Sequence, residues 1–277
     1  MRHLLSIDDL SIDDIFSIFN LSNKIIKEGG LGPICLSSNI LASLFYQPST
    51  RTRLSFEAAA QKLHWGLLSV VGQEYSSIAK GESIADSIRV ISESYADVIV
   101  LRHNKPWAIQ EAAAVSHVPL INAGDGKNEH PTQALVDAFT IWKQFGLLDT
   151  LTIAVTGDLK NGRAARSFIK IMKKLGATLK SWAEWGLEPN SDLDIADGQG
   201  CTRDIDIVYM TRIQDGRLNK RLLTPYNFPG AFIMHPLPRN NEIPTSFDSH
   251  DRALYFKQAR NALPIRMALL SWIKKCV

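Results

Sequence analysis

Cysteine is scarce: three residues in 277, at positions 35, 201 and 276. Their odd number and wide spacing, without a CxxC or a Cys/His cluster, argue against both a disulfide framework and a zinc site carried by the chain. Long apolar runs are missing as well. No stretch approaches the roughly 20 apolar residues of a membrane span, and Met1-Arg2-His3-Leu4-Leu5 runs into Asp8 and Asp9 without a signal-peptide core. A cytoplasmic location is the expectation. Charge of one sign is also lacking: the formal net charge is +3 and no long lysine or arginine run occurs. Nucleic acid and membrane surfaces therefore gain no support as partners. Absent too are GxxxxGK[ST], GxSxG and paired carboxylates in a glycine-rich pocket, which weakens readings as a kinase, hydrolase or glycosidase. Gly157 and Gly162 form only part of a nucleotide-binding turn, so a dinucleotide site is weak.

What is present is an alternation of strand-like and helix-like stretches. Apolar content of 45% and charged content of 21% are those of a globular protein, and the length favours two domains. Ser11 with Asp14 resembles a capping box opening a helix with Ile12, Ile15, Phe16 and Phe19 on its buried side. Ile40 to Tyr46 reads as a strand, followed by a helix whose face is Leu54, Phe56, Ala58, Ala59 and Leu63. Further strands are expected at 67–71, 97–101, 118–121, 151–156, 205–210 and 231–234. Helices are expected from near Glu82, and at 107–115, 131–145, 164–175 and 261–274. The polar segment 72–81 reads as a surface loop.

Polar groups gather where strands hand over to helices, the place where open α/β sheets bind ligands. Gln47-Pro48-Ser49-Thr50-Arg51-Thr52-Arg53 places a serine cap, free helix N–H groups and two arginines together, a cradle for an anion. Arg102 ends the strand at 97–101. Asn122 to Gln133 is a glycine-rich turn with Pro131 at the first helical position, setting His130 and Gln133 at a helix start. Arg163 opens the helix after 157–162, and Arg212 and Gln214 follow the strand at 205–210. His235-Pro236-Leu237-Pro238-Arg239 forms a stiff turn that fixes carbonyl directions. Several arginines without a metal or other cofactor suit two anionic small molecules.

In combination, Ser49-Thr50-Arg51-Thr52, Asn128 to Gln133 and His235 to Arg239 resemble the aspartate/ornithine carbamoyltransferase family, on its aspartate side, over nearly the whole chain. The resemblance implies an α/β fold of two domains, each with a central, mostly parallel sheet flanked by helices. The first, carbamoyl-phosphate-binding domain would span 1–146 and be completed by the C-terminal helix at about 261–277. A shortened aspartate-binding domain would span 147–260. It also implies transfer of the carbamoyl group of carbamoyl phosphate to L-aspartate, a step of pyrimidine biosynthesis, in a homotrimer with shared active sites and room for regulatory chains. By matching position, Ser49, Thr50, Arg51 and Thr52 would bind phosphate; Thr52, Arg102 and His130 would polarise the carbonyl; Gln133 would hold the amide. Ser76 and Lys80 would serve a neighbouring subunit's site. Arg163, Arg212 and Gln214 would bind the aspartate carboxylates, and the carbonyls around Pro236 and Leu237 would orient the amino groups. The ornithine branch typically has a His-Cys-Leu-Pro turn, whereas Pro236 follows His235 here, so an acidic co-substrate is expected.

Departures accompany the likeness. Gln47 stands where the family usually has glutamate, and Arg260 and Pro264 alter the last motif. The stretches between Trp182 and Ile205 and between Arg217 and Phe228 are short. A co-substrate that is another acidic amino compound, or a weakly active paralogue serving as a binding subunit, are the alternatives this leaves.

Overall fold

The computed structural model describes residues 2–30, 38–183, 187–189, 196–197, 203–212 and 225–275, so Gln214 and the three cysteines lie outside the described residues. In chain order the helices are α1 (Ile12–Lys27), α2 (Thr50–Lys62), α3 (Ile84–Ser94), α4 (Ala108–Val115), α5 (Pro131–Phe145), α6 (Arg163–Lys174), α7 (Tyr255–Arg260) and α8 (Ala262–Ile273). The strands are β1 (Ile40–Phe45), β2 (Gly66–Val71), β3 (Val98–His103), β4 (Leu120–Asp125), β5 (Thr152–Gly157), β6 (Thr178–Ala183), β7 (Ala196–Asp197), β8 (Ile207–Met210) and β9 (Phe232–Met234). Two compact units result: residues 1–132 with 262–277, and residues 133–261.

The first unit is a parallel four-stranded sheet in the order β2-β1-β3-β4. Successive side chains of a strand point to opposite faces, and β1 uses both. Ala42, Leu44 and Tyr46 join Ile88 of α3 and Ile109 and Ala112 of α4 in one apolar cluster. From the other face, Ser43 donates to Glu57 of α2 at 3.1 Å. There α8 packs on α1 and α2, so the helix after the second unit returns to complete the first, as the resemblance implies. The capping box at Ser11 and Asp14 forms as read. Two helix faces need correction. Ile12 is exposed, and the buried stripe of α1 is Ile15, Ile18, Phe19, Ser22 and Ile25. In α2, Phe56, Ala59 and Leu63 are buried as read, but Leu54 and Ala58 face solvent, and Thr52 and Ala60 take their place in the buried face.

Strand β4 also differs from the reading of a turn beginning at Asn122. It continues through Asp125, with every residue buried. Its polar side chains find partners: Asn122 donates to the Leu5 carbonyl at 2.8 Å, and Asp125 Oδ2 accepts from the Trp107 N–H at 3.3 Å and from Asn128 at 3.0 Å. The outer edge of β4 is covered by Leu4, whose N–H and C=O bond to Leu120 and Asn122 at 2.9 and 2.8 Å, which blunts an otherwise open edge.

The second unit is a parallel five-stranded sheet in the order β7-β6-β5-β8-β9. Ala154, Val208, Met210, Ile233, Phe247 and Tyr255 form the core on one face. On the other, the Tyr209 ring stacks on Phe168 of α6 with centroids 3.8 Å apart. Strands β6 and β7 and the short helix α7 are additions to the sequence reading. β6 carries Lys180 and Ser181 in place of an apolar run, and only Leu179 and Ser181 are buried along it. Pro264 lies in the first turn of α8, where a missing N–H costs nothing.

Candidate active site

Three loops of the first unit leave the carboxyl edge of one sheet. Strand β1 has β2 on one side and β3 on the other, so its carboxyl end is a topological switch point, where a crevice opens between diverging connections. Phe45 is aligned with Arg102, and the Tyr46 N–H donates to the Arg102 carbonyl at 3.0 Å. The two strands thus stay bonded up to the cradle itself. Arg102 is the penultimate residue of β3, at the strand's end as the sequence suggested. Half-buried, it donates from Nη1 to the Ala123 carbonyl at 3.3 Å.

Ser49 occupies the cap position of α2 but makes no side-chain capping bond, which corrects the cap reading. Its hydroxyl, that of Thr50 and the first N–H groups of α2 stand at one helix end. Thr52, one turn in, is buried, and its Oγ1 lies 3.5 Å from Nε2 of buried His130. That distance is at the limit of hydrogen bonding, so the two are neighbours rather than a tight pair. The other ring nitrogen, Nδ1, is 3.3 Å from the hydroxyl of Thr132, a residue the sequence reading did not single out. The turn before His130 is compressed: Gly126 has φ +49°, and a Cβ there would press on Pro106.

The loop after β2 carries Ser76 and Lys80. Gln73 anchors it, its amide 3.1 Å from His103 Nε2, while His103 Nδ1 accepts from the Lys105 N–H at 2.9 Å. Burial pulls the His103 pKa below its ordinary value. Ser76 donates to the Gln73 carbonyl at 2.8 Å and Lys80 is exposed. Among the described residues, no hydrogen bond joins either of them to Ser49–Thr52.

The second unit has its own switch point, because β5 lies between β6 and β8. The Thr211 N–H and hydroxyl both donate to the Thr156 carbonyl, at 3.0 and 2.8 Å. Gly157 beside them has φ +97°, and a Cβ there would collide with the Thr211 carbonyl. Asp158 then accepts from the Asn161 N–H at 2.9 Å, closing the turn so that half-buried Arg163 begins α6. Arg212, just after β8, is exposed. Gln133, in the first turn of α5, donates to Asp137 at 2.7 Å.

After β9, His235 is fully engaged. Its Nδ1 accepts from the Leu237 N–H at 2.7 Å, which leaves the ring proton on Nε2, 2.9 Å from Glu242. Burial alone would push the Glu242 carboxyl up, but the His235 bond and nearby backbone amides outweigh it and hold the carboxyl below its usual range. The turn holding Pro236 and Leu237 is thus tied down from within. It contains a cis Leu237–Pro238 peptide. Beyond it, Arg239 pairs with Asp248, which also accepts from Tyr255 at 2.6 Å.

Two parallel α/β units, each with hydroxyl, arginine or histidine groups on the turns at its carboxyl edge, suit small anionic ligands. The chain belongs to the aspartate/ornithine carbamoyltransferase family. The family model for the carbamoyl-P binding domain matches residues 2–143, and that for the Asp/Orn binding domain matches residues 149–273. The chain is 42% identical to the aspartate carbamoyltransferase catalytic subunit of Methanococcus vannielii over 301 aligned positions, covering 99% of each chain. Those positions outnumber the 277 residues here, so the relative carries residues this chain lacks. Among solved structures, the catalytic subunit of M. jannaschii aspartate transcarbamoylase superposes with a TM-score of 0.87 at 37% identity, covering 99% of both chains. Trypanosoma cruzi aspartate transcarbamoylase in complex with carbamoyl aspartate and phosphate gives 0.87 at 34% identity, covering 98% of this chain and 94% of the other.

Proposed function

We propose that the chain is the catalytic chain of an aspartate carbamoyltransferase, making N-carbamoyl-L-aspartate and phosphate from carbamoyl phosphate and L-aspartate for pyrimidine biosynthesis in the cytoplasm. The observation that carries this reading is the meeting of Thr52 with His130 at a sheet edge where Arg102 is the aligned partner of β1. The names of the relatives support aspartate over another acidic amino compound, and a working enzyme over a binding subunit.

Ser49, Thr50, Arg51 and Thr52 hold the phosphate of carbamoyl phosphate, with arginine suited to a dianion because its planar fork stays charged. Thr52, Arg102 and His130 donate to the carbonyl oxygen, and Gln133 holds the carbamoyl amide. Arg163, Arg212 and Gln214 take the two carboxylates of aspartate, and the carbonyls at Pro236 and Leu237 orient the amino groups. The neutral amine attacks the carbonyl carbon, forming the C–N bond while charge moves onto the oxygen. Fixed donors stabilise that charge, each worth roughly 3 kcal/mol. The C–O bond to phosphate then breaks, and the proton shed by nitrogen goes to the departing phosphate. A ring proton on Nε2 of His130, with Nδ1 turned to the Thr132 hydroxyl, makes His130 a donor to the carbonyl rather than a proton shuttle.

Ser76 and Lys80 serve the site of a neighbouring copy in a homotrimer. Support comes from β2, an outer strand that leaves Leu68 and Val71 exposed beside the loop bearing both residues. The test is turnover of carbamoyl phosphate with aspartate, for the wild type and Arg51→Ala. Product from the first and nearly none from the second is expected; no carbamoyl aspartate from the wild type refutes the assignment.

A further inference from the structure

Asp137 lies one helical turn beyond Gln133 on α5 and is completely buried. A carboxylate in such a place needs donors on both oxygens, and three converge on it. Oδ1 accepts from Gln133 Nε2 at 2.7 Å and from Gln258 Nε2 at 2.6 Å. Oδ2 accepts from the Tyr209 hydroxyl at 2.7 Å, and burial, followed by the Asp137 charge, holds that hydroxyl well above its ordinary pKa. Gln258, itself buried on α7, accepts the His235 N–H at 3.0 Å through its own carbonyl. One continuous set of hydrogen bonds therefore runs from Gln133 through Asp137 and Gln258 to the turn holding Pro236 and Leu237.

We infer that Asp137 is a positioning residue for the carbamoyl group, an inference that rests on the carbamoyl-transfer reading above. An ionised carboxylate only accepts, so it captures the NH2 end of the Gln133 amide and settles which way the amide faces. The carbonyl end, Oε1, is then the end presented to ligand. A carbonyl oxygen recognises an N–H donor, which the carbamoyl group has and an acetyl group lacks. Asp137 thereby enforces selection of carbamoyl phosphate over acetyl phosphate, which is alike in size and charge but carries methyl in place of NH2.

The experiment measures, on the full chain in its native assembly, the KM for carbamoyl phosphate and the inhibition constant of acetyl phosphate against it. For Asp137→Ala the expected result is a roughly tenfold loss of carbamoyl-phosphate affinity, the size of one hydrogen bond, with acetyl phosphate unchanged. Gln133→Ala should show the same selective loss, and the double variant no more than either single one. If Asp137→Ala does not fold, the isosteric Asp137→Asn, whose amide keeps one oxygen, should lose roughly threefold with the same selectivity. A residue of merely structural importance would weaken both ligands alike and add to Gln133→Ala; that outcome, or no loss in Asp137→Asn, overturns the proposal. A wild type that binds carbamoyl phosphate no better than acetyl phosphate instead removes the carbamoyl-transfer reading, and the inference with it.

Discussion

His130 is held between two threonine hydroxyls, Thr52 on one ring nitrogen and Thr132 on the other. In a donor role its loss removes one stabilised hydrogen bond in the transition state. Turnover of His130→Ala should fall roughly 10²- to 10³-fold, while its thermal unfolding midpoint, followed by circular dichroism, moves by only a few degrees. A loss of activity that merely tracks unfolding would contradict this. A second residue makes a small contribution to acid stability. Asp248, bonded to Arg239 and then to Tyr255, has its carboxyl drawn down from 3.8 to about 2. Because the folded value is the lower one, its contribution is present above 3.8 and disappears as pH falls towards 2. Urea unfolding between pH 5 and pH 2 should therefore show a steeper loss of stability for the wild type than for Asp248→Asn. The contribution is small, since the pair is partly exposed and screened.

At the scale of elements, the two switch points depend on where backbone can approach backbone. Gly157→Ala forces an L residue into φ +97° and drives its Cβ at Thr211. A destabilisation of about 2–3 kcal/mol is expected, together with a higher KM for aspartate, because Arg163 and Arg212 both follow the disturbed turn. Unchanged kinetics would show that the turn does not set those arginines. Which elements the sequence discloses follows from how they are buried. Strands β1, β3, β5 and β8 are mostly apolar runs and are legible. The end of β4 is not, because Leu5, whose carbonyl takes the Asn122 amide, and Trp107, whose N–H bonds to Asp125, are remote in sequence. Strand β6 is hidden by Lys180 and Ser181. The candidate site was legible as residue types at strand ends, but the closeness of Thr52 to His130 is a tertiary fact that spacing cannot give. Asp137 left one unread signal: a glutamine and an aspartate four apart on a helix face each other.

At the scale of the molecule, the reading of shared sites predicts complementation. Neither Lys80→Ala nor Arg51→Ala chains should turn over well alone, but mixed and reassembled trimers should regain part of the activity, because some sites then receive both intact halves. No recovery on mixing would place Lys80 in its own chain's site. The other large-scale feature is α8, which buries Ile265, Met267, Leu269, Leu270 and Ile273 in the first unit. At about 1.5–3 kcal/mol each, these five side chains contribute about as much as the 5–15 kcal/mol that typically separates a folded domain from its unfolded chain. A protein ending at Asn261 should therefore be insoluble or unfolded in its first unit, as judged by expression and circular dichroism. The order of synthesis gives this dependence a consequence. A ribosome threads out the entire second sheet before residues 262–273 emerge, so the half that starts first is finished last. A premature stop codon then releases a product with one sound half and one gaping half, and such a nascent chain is ready prey for chaperones and proteases.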